Sequence, residues 1–199
     1  KKKKEIIGIL PVAGAGIVRT EKDCYPCFLK QVTRTLTYAC VNGSRGEAIL
    51  KKAVSIIDHA SPDEVPARTT TFLHRLLREE TGNDPYHDVK KTYTRLALER
   101  LPQLRRMARS CPDRLEGSAR VAIAGNVIDF GIFESVDLDR SLEESFRLPL
   151  LQDDYRLFAD AVQRADRILY LCDNAGEIVF DRVLLETLRE LGKDVTAAV

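Results

Sequence analysis

The stretch from Arg167 to Val199 reads RILYLC, DNAGE, IVFDRVLLETLRELG and KDVTAAV. Ile168 to Cys172 form an unbroken apolar run, the pattern of a parallel strand buried on both faces. From Val179 to Leu191 apolar residues recur at helical spacing, and Gly192 supplies a stop. Val195 to Val199 read as a second buried strand. Together they predict a strand–loop–helix–strand unit of an α/β protein. Ligands of such sheets bind beyond the carboxyl ends of the strands, where Asp173, Asn174 and Glu177 stand. Carboxylate and amide oxygens there suit a hard cation such as Mg²⁺ or Mn²⁺. Gly176 permits close backbone approach, and the nearby helix N-terminus favours an anion such as phosphate. Asp173 and Asn174 read equally well as simple caps of that helix.

Upstream the texture differs. From Asp23 to about Ser110 the apolar spacing is helical throughout. One helix is expected to stop at Asn42-Gly43, a second to run from Glu47 to His59, and a third from Pro66 to Glu80. A fourth opens near Asp84-Pro85 and passes Leu98, with a kink possible at Pro102. Lys90, Lys91, Arg95, Arg100, Arg105, Arg106 and Arg109 cluster here without interleaved aromatic residues, which favours a solvated face over a nucleic-acid footprint. After Cys111-Pro112 the run SARVAIAGNVIDFG at 118–131 fits a buried helix or a strand. Acidic residues between 134 and 160 read as polar surface. The expected organisation is an all-α domain over 19–115 and an α/β domain over 116–199.

With 199 residues and 44% apolar composition the chain has room for a sizeable core. Its 31 basic residues against 30 acidic ones leave no strongly charged field to recruit nucleic acid. Without Lys1–Lys4 the acids outnumber the bases. Residues 5–18, EIIGILPVAGAGIV, resemble a secretory leader behind those lysines, but read more simply as an extension ahead of the domain. The run falls short of the roughly 20 apolar residues that span a membrane.

Five cysteines at irregular spacing make a poor disulfide framework and suit a reducing cytoplasm. Cys24-Tyr25-Pro26-Cys27 is a CxxC. It reads as half a zinc site, with Cys40, His59, His74, His87 or Cys111 as possible partners, as a redox pair, or as two small apolar residues at a helix start.

The CxxC, DPYHDVKK at 84–91, AIAGNVIDFG at 122–131 and LCDNAGEIVFD at 171–181 follow one another in an order that resembles the damage-control phosphatase family, formerly the domain of unknown function 89. The resemblance covers 20–199 and is closest to the stand-alone prokaryotic branch. It implies a helical N-terminal domain followed by an α/β/α Rossmann-like domain. It implies a phosphatase dependent on a divalent metal (Mn²⁺, Mg²⁺, Co²⁺ or Ni²⁺) and acting on small phosphorylated metabolites, sugar phosphates included. By the DNAGE match, Asp173 and Asn174 are metal ligands and Glu177 lies beside the substrate, with Asp173 and Glu177 as catalytic candidates. The GNxxD match places Asn126 and Asp129 in the wall of the same pocket. Asp181 stands either behind the site or on an exposed helix face. Family members continue past the strand ending at Val199, and a later aspartate and lysine complete their site. The chain as given is therefore expected to hold part of the α/β domain and to bind metal weakly.

A non-catalytic metal- or redox-linked binding module built on Cys24 and Cys27 is the competing expectation. A methyltransferase is disfavoured, because no glycine-rich loop follows a first nucleotide-binding strand.

Overall fold

A computed structural model describes residues 18–127, 138–147, 149 and 153–199. It is mostly helical with a small parallel sheet. Contacts divide the chain into two compact units, Lys1–Asp88 and Val89–Val199.

The first unit is built on α1 (Cys24–Tyr38), α2 (Gly43–Asp58) and α3 (Pro66–Thr81). Their apolar faces meet in a core of Phe28, Val32 and Leu36 from α1, Ile49, Ala53 and Ile57 from α2, and Leu73 and Leu77 from α3. Each large side chain buried this way contributes roughly 1.5–3 kcal/mol. Pro66 opens α3 at a position where its missing N–H is no loss. The first helix ends earlier than the sequence suggests. Cys40, at φ 53°, takes the left-handed position after it, while the N–H groups of Cys40 and Val41 bond Thr37 O and Leu36 O. Gly43 is then the first residue of α2, not the stop of α1. The glycine signal was real, but a cysteine fills the conformation it usually marks.

α4 (His87–Ser110) runs as one helix through Pro102. In the second unit its buried face, Ala97, Leu101, Leu104 and Ala108, packs with Val121, Leu142, Val179, Phe180 and Val183. This packing is why the compact units part at Asp88–Val89 and not at the expected 115/116. The change in sequence texture marks where small apolar residues begin, whereas the division follows the partners that α4 buries.

α5 (Arg114–Val127) resolves the ambiguous run at 118–131 as a helix as far as Val127. α6 (Leu138–Arg147) and α7 (Tyr155–Arg164) follow. β1 (Arg167–Leu171) and β2 (Asp194–Ala198) pair in parallel, Arg167 opposite Asp194 and Leu171 opposite Ala198, joined through α8 (Ile178–Glu190). The strand–helix–strand unit expected from the sequence is therefore present, with Gly192 at φ 77° after α8.

Its burial differs from expectation. Val179, Phe180 and Val183 of α8 enter the α4 core, whereas Leu184 and Leu188 join a second core with Leu115, Val162 and Val195. The helix is thus buried on two sides, not on a single amphipathic stripe. The strands are the reverse. Ile168 and Tyr170 pack on the second core, but Leu169 and Leu171 are 67% and 74% exposed. Val195 is buried while Val199 lies open. Among the described residues the sheet has two strands and one packed face.

Candidate active site

The chemistry-bearing turn is fixed by the end of β1. Cys172 N–H extends the parallel ladder to Ala198 O at 2.9 Å, and the next N–H, of Asp173, turns away to Asp181 Oδ2 at 2.8 Å. The backbone then crosses Ala175 at φ 40°, a left-handed conformation that costs an alanine about 1–2 kcal/mol. A single 3-10 turn, Ala175–Glu177, leads into α8, with Glu177 N–H bonded to Asn174 O at 3.0 Å.

Gly176 is needed here, for a reason other than the expected one. A Cβ on Gly176 would lie 3.0 Å from the carbonyl oxygen of Tyr93 in α4. On its Cβ side, the close backbone neighbour of Gly176 is therefore this chain's own helix.

Asp173 is the hub of the turn. Its Oδ1 accepts from Asn174 N–H at 2.8 Å and from Asn174 Nδ2 at 3.2 Å; its Oδ2 accepts from Asn126 Nδ2. Asn174 Nδ2 also donates to Glu177 Oε2 at 3.3 Å. Asn174, at the start of the 3-10 turn, makes no side-chain cap hydrogen bond, and Asp173 takes the N–H of its immediate neighbour Asn174, so neither acts as a simple helix cap. The polar groups converge on one another instead.

Asn126 reaches this hub from α5. A Cβ on the preceding Gly125 would lie 2.7 Å from the Phe180 side chain, so only glycine lets α5 come this close to α8. Ser118 Oγ and Thr187 Oγ1, 2.7 Å apart and buried, tie the same two helices together further along.

The electrostatics are uneven. A hydrogen bond shared with Glu177 and donors from Asn174 and Asn126 hold the Asp173 carboxyl below its ordinary range, against the opposing effect of burial. Burial, then the hydrogen bond and negative charge of Asp173, raises Glu177 to about 7. Two carboxyls this close need a proton or a cation between them. The carboxylate oxygens of Asp173 and Glu177 are hard donors that suit Mg²⁺ or Mn²⁺ better than a thiophilic metal, while the Asn126 and Asn174 amides turn their nitrogens to those carboxylates. Beside this hub lies a cleft of about 800 Å³, with Asn126, Cys172 and Asp173 in its lining and Arg120, Tyr155 and Phe158 further along it.

The structure thus brings Asn126, Asp173, Asn174 and Glu177 together. Asp129 lies outside the described residues. Asp181 is 6% exposed and sits behind Asp173, which removes the exposed-helix alternative for it. Sequence reasoning missed Gly125 and Tyr170. The signal for Tyr170 was its single polar tip in an otherwise apolar strand, and its hydroxyl donates to Asp181 Oδ1 at 2.6 Å. Far from these residues in sequence, Cys24 and Cys27 occupy the first turn of α1 as free thiols, half-buried and exposed. Among the described residues no group of three or more His, Cys, Asp or Glu side chains is placed to hold a metal ion, at the CxxC or elsewhere. Nor is any described helix long and apolar enough to cross a membrane.

Comparison with known proteins agrees with the motif order. An uncharacterized protein of Methanocaldococcus jannaschii is 32% identical over 189 residues, covering 92% of this chain and 62% of the relative. A damage-control phosphatase of Pyrococcus horikoshii is 28% identical over 87% of this chain and 61% of its own length. A damage-control phosphatase of Archaeoglobus fulgidus is 28% identical over 72% of this chain and 51% of its own. The chain therefore spans between half and two thirds of the length of these relatives. The crystal structure of a DUF89 family protein from Pyrococcus horikoshii superposes with a TM-score of 0.77 at 27% identity, over 90% of this chain and 64% of that one. The model of the damage-control phosphatase ARMT1-like domain matches residues 20–199, and the chain belongs to that family.

Proposed function

We propose that the protein is a divalent-metal-dependent phosphatase that hydrolyses small phosphorylated metabolites, sugar phosphates among them, in the cytoplasm. The observation that carries this reading is the convergence of Asn126, Asn174 and Glu177 on Asp173 beside a cleft of about 800 Å³. The named relatives support phosphatase chemistry, and the five free cysteines suit a reducing compartment. The exposed Leu169–Leu171 face fits a larger α/β/α Rossmann-like sheet of which β1, α8 and β2 are one unit.

Asp173 and Asn174 would hold the cation, which when bound supplies Lewis-acid polarisation of a phosphoryl oxygen. Asn126 orients Asp173 through its amide. Glu177, whose Oε2 accepts from Asn174 Nδ2 at 3.3 Å, would serve as the general base. As the carboxylate it takes a proton from the water that attacks phosphorus. The ester P–O bond breaks as the new one forms, and Glu177 gives that proton to the leaving oxygen, which departs as the alcohol. Asp129 belongs to the pocket wall by its motif. The water route is preferred to a phosphorylated Asp173 because a carboxylate that ligates a cation is the poorer nucleophile.

The test is phosphate release by the full-length protein from a panel of phosphoesters with Mn²⁺, Mg²⁺, Co²⁺ or Ni²⁺, and with chelator. Metal-dependent release that disappears in Asp173→Ala supports the reading. Inactivity on every ester, with metal binding unchanged in Asp173→Ala, overturns it. Trapping of a phosphoenzyme on Asp173 would replace the water route with a covalent one.

A further inference from the structure

Asp181 is a carboxylate buried to 6% exposure, and among the described residues its hydrogen-bond donors are a hydroxyl and a backbone N–H. Its Oδ1 accepts from the Tyr170 hydroxyl at 2.6 Å, and its Oδ2 from the Asp173 N–H at 2.8 Å. Placing an ion out of water is costly unless donors replace the lost solvent, and here two dipoles do so. The three residues belong to three pieces of structure. Tyr170 is in β1, Asp173 is the second residue after it, and Asp181 is in the first turn of α8. That first turn also carries the positive end of the helix dipole, which favours an anion.

This geometry ties the chain direction at the end of β1 to the start of α8. The Asp173 N–H points back to Asp181, and its carboxylate is then presented to Asn126 and Asn174. Asp181 spends one oxygen on the Tyr170 hydroxyl and the other on the Asp173 N–H, and both bonds hold the turn.

We infer that Asp181 is a positioning residue: anchored by Tyr170, it holds the Asp173 backbone so that the Asp173 carboxylate faces the site. The inference rests on the proposed role of Asp173 for its functional consequence, but not for its structural one. Groups that orient a metal-binding side chain from behind typically change metal affinity or activity roughly 10–100-fold when altered.

Three variants test it: Asp181→Leu, which removes both acceptors, Asp181→Asn, which keeps one acceptor oxygen for the Asp173 N–H, and Tyr170→Phe, which removes the anchor. The primary readout is the ¹H–¹⁵N resonance of the Asp173 amide and its hydrogen-exchange protection, recorded without metal or substrate. The expected result is a downfield, protected amide that moves upfield and exchanges faster in Asp181→Leu, with substantial recovery in Asp181→Asn and a smaller change in Tyr170→Phe. Secondary readouts are Mn²⁺ affinity and the division between kcat and KM for phosphate release. Asp181→Leu should weaken Mn²⁺ and lower kcat by roughly 10–100-fold with KM little changed.

An Asp173 amide that is the same in all three variants overturns the inference, as does Mn²⁺ affinity within about twofold of wild type in a folded Asp181→Leu protein. Should Asp181→Leu fail to fold, Asp181→Asn and Tyr170→Phe decide the matter by the same amide. If the amide responds as expected while no variant, wild type included, releases phosphate, the phosphatase reading fails and the positioning role stands.

Discussion

Gly125 of α5 and Phe180 of α8 pass so closely that a Cβ on the glycine would lie 2.7 Å from the Phe180 Cβ and Cγ. The next residue, Asn126, donates to Asp173, so this crossing sets the distance between an α5 amide and the turn after β1. Phe180 is fully buried and has little room to withdraw. Gly125→Ala should cost about 1–3 kcal/mol, as overpacking of a tight core does. Thermal melting followed by circular dichroism measures it, and adding Phe180→Leu should recover part of the loss through favourable coupling. Equal melting temperatures for Gly125→Ala and wild type would show that the helices can part at no cost.

Arg105 and Glu186 form a two-pronged pair, Nε to Oε2 at 2.9 Å and Nη2 to Oε1 at 2.6 Å, with Arg182 also on Oε1 at 2.9 Å. The Arg105 hydrogen bond, and then Arg182, hold the Glu186 carboxyl below its ordinary range. A carboxyl depressed in the folded state stabilises above its unfolded pKa of about 4.3 and loses that contribution as pH falls through the lower folded value. The pair is partly exposed, so Glu186→Gln should cost no more than about 1 kcal/mol at pH 7 and nothing measurable near pH 2. Urea titrations at the two pH values check this; a loss that persists undiminished in acid contradicts the pairing as its source.

Glu177 has the opposite sign. Burial and the neighbouring Asp173 raise its carboxyl to about 7, so the folded state binds this proton more tightly than the unfolded chain. Its contribution is complete below the unfolded pKa, and stability then falls as pH rises towards the folded value. Glu177→Gln should therefore stabilise the cation-free protein at pH 8 by on the order of 1 kcal/mol, discounted for partial exposure, while impairing phosphate release. A variant less stable than wild type at pH 8 would mean that Glu177 is not under this strain.

The cysteines should separate by reactivity. Cys27 and Cys40 are exposed, whereas Cys111 and Cys172 are half-buried and burial pushes their thiols up. Thiolate is the reactive form, so iodoacetamide on the native protein should label Cys27 and Cys40 first and Cys111 and Cys172 last. Mass spectrometry of timed digests reads the order. Zinc-dependent protection of Cys24 and Cys27 together would revive the CxxC as a metal site.

Helical periodicity made the first unit legible almost residue by residue, from Phe28, Val32 and Leu36 to Leu73 and Leu77. The β1–α8–β2 unit was legible for the same reason: an apolar run, an amphipathic segment and Gly192. Burial was less so, because Leu169 and Leu171 look like core by composition, and only the partners across the sheet decide whether they are. The turn at Asp173 was visible as a cluster of polar types after a strand. Its wiring was not, since the Asp173–Asp181 and Asn126–Asp173 bonds depend on distances set by Gly125 and Gly176, where what matters is the atoms a missing Cβ makes room for. The boundary at Asp88–Val89 was hidden because α4 looks helical whichever core it joins.

The central claim is that Asp173 is the hub of a metal-dependent phosphatase site. Its most direct test is the rate of phosphate release by full-length protein with Mn²⁺, compared between wild type and Asp173→Asn at matched folding by circular dichroism. The account predicts release that chelator abolishes, and a fall of about 100-fold or more in Asp173→Asn, the scale expected when a group central to the chemistry is lost. Release that is indifferent both to chelator and to Asp173→Asn would contradict it.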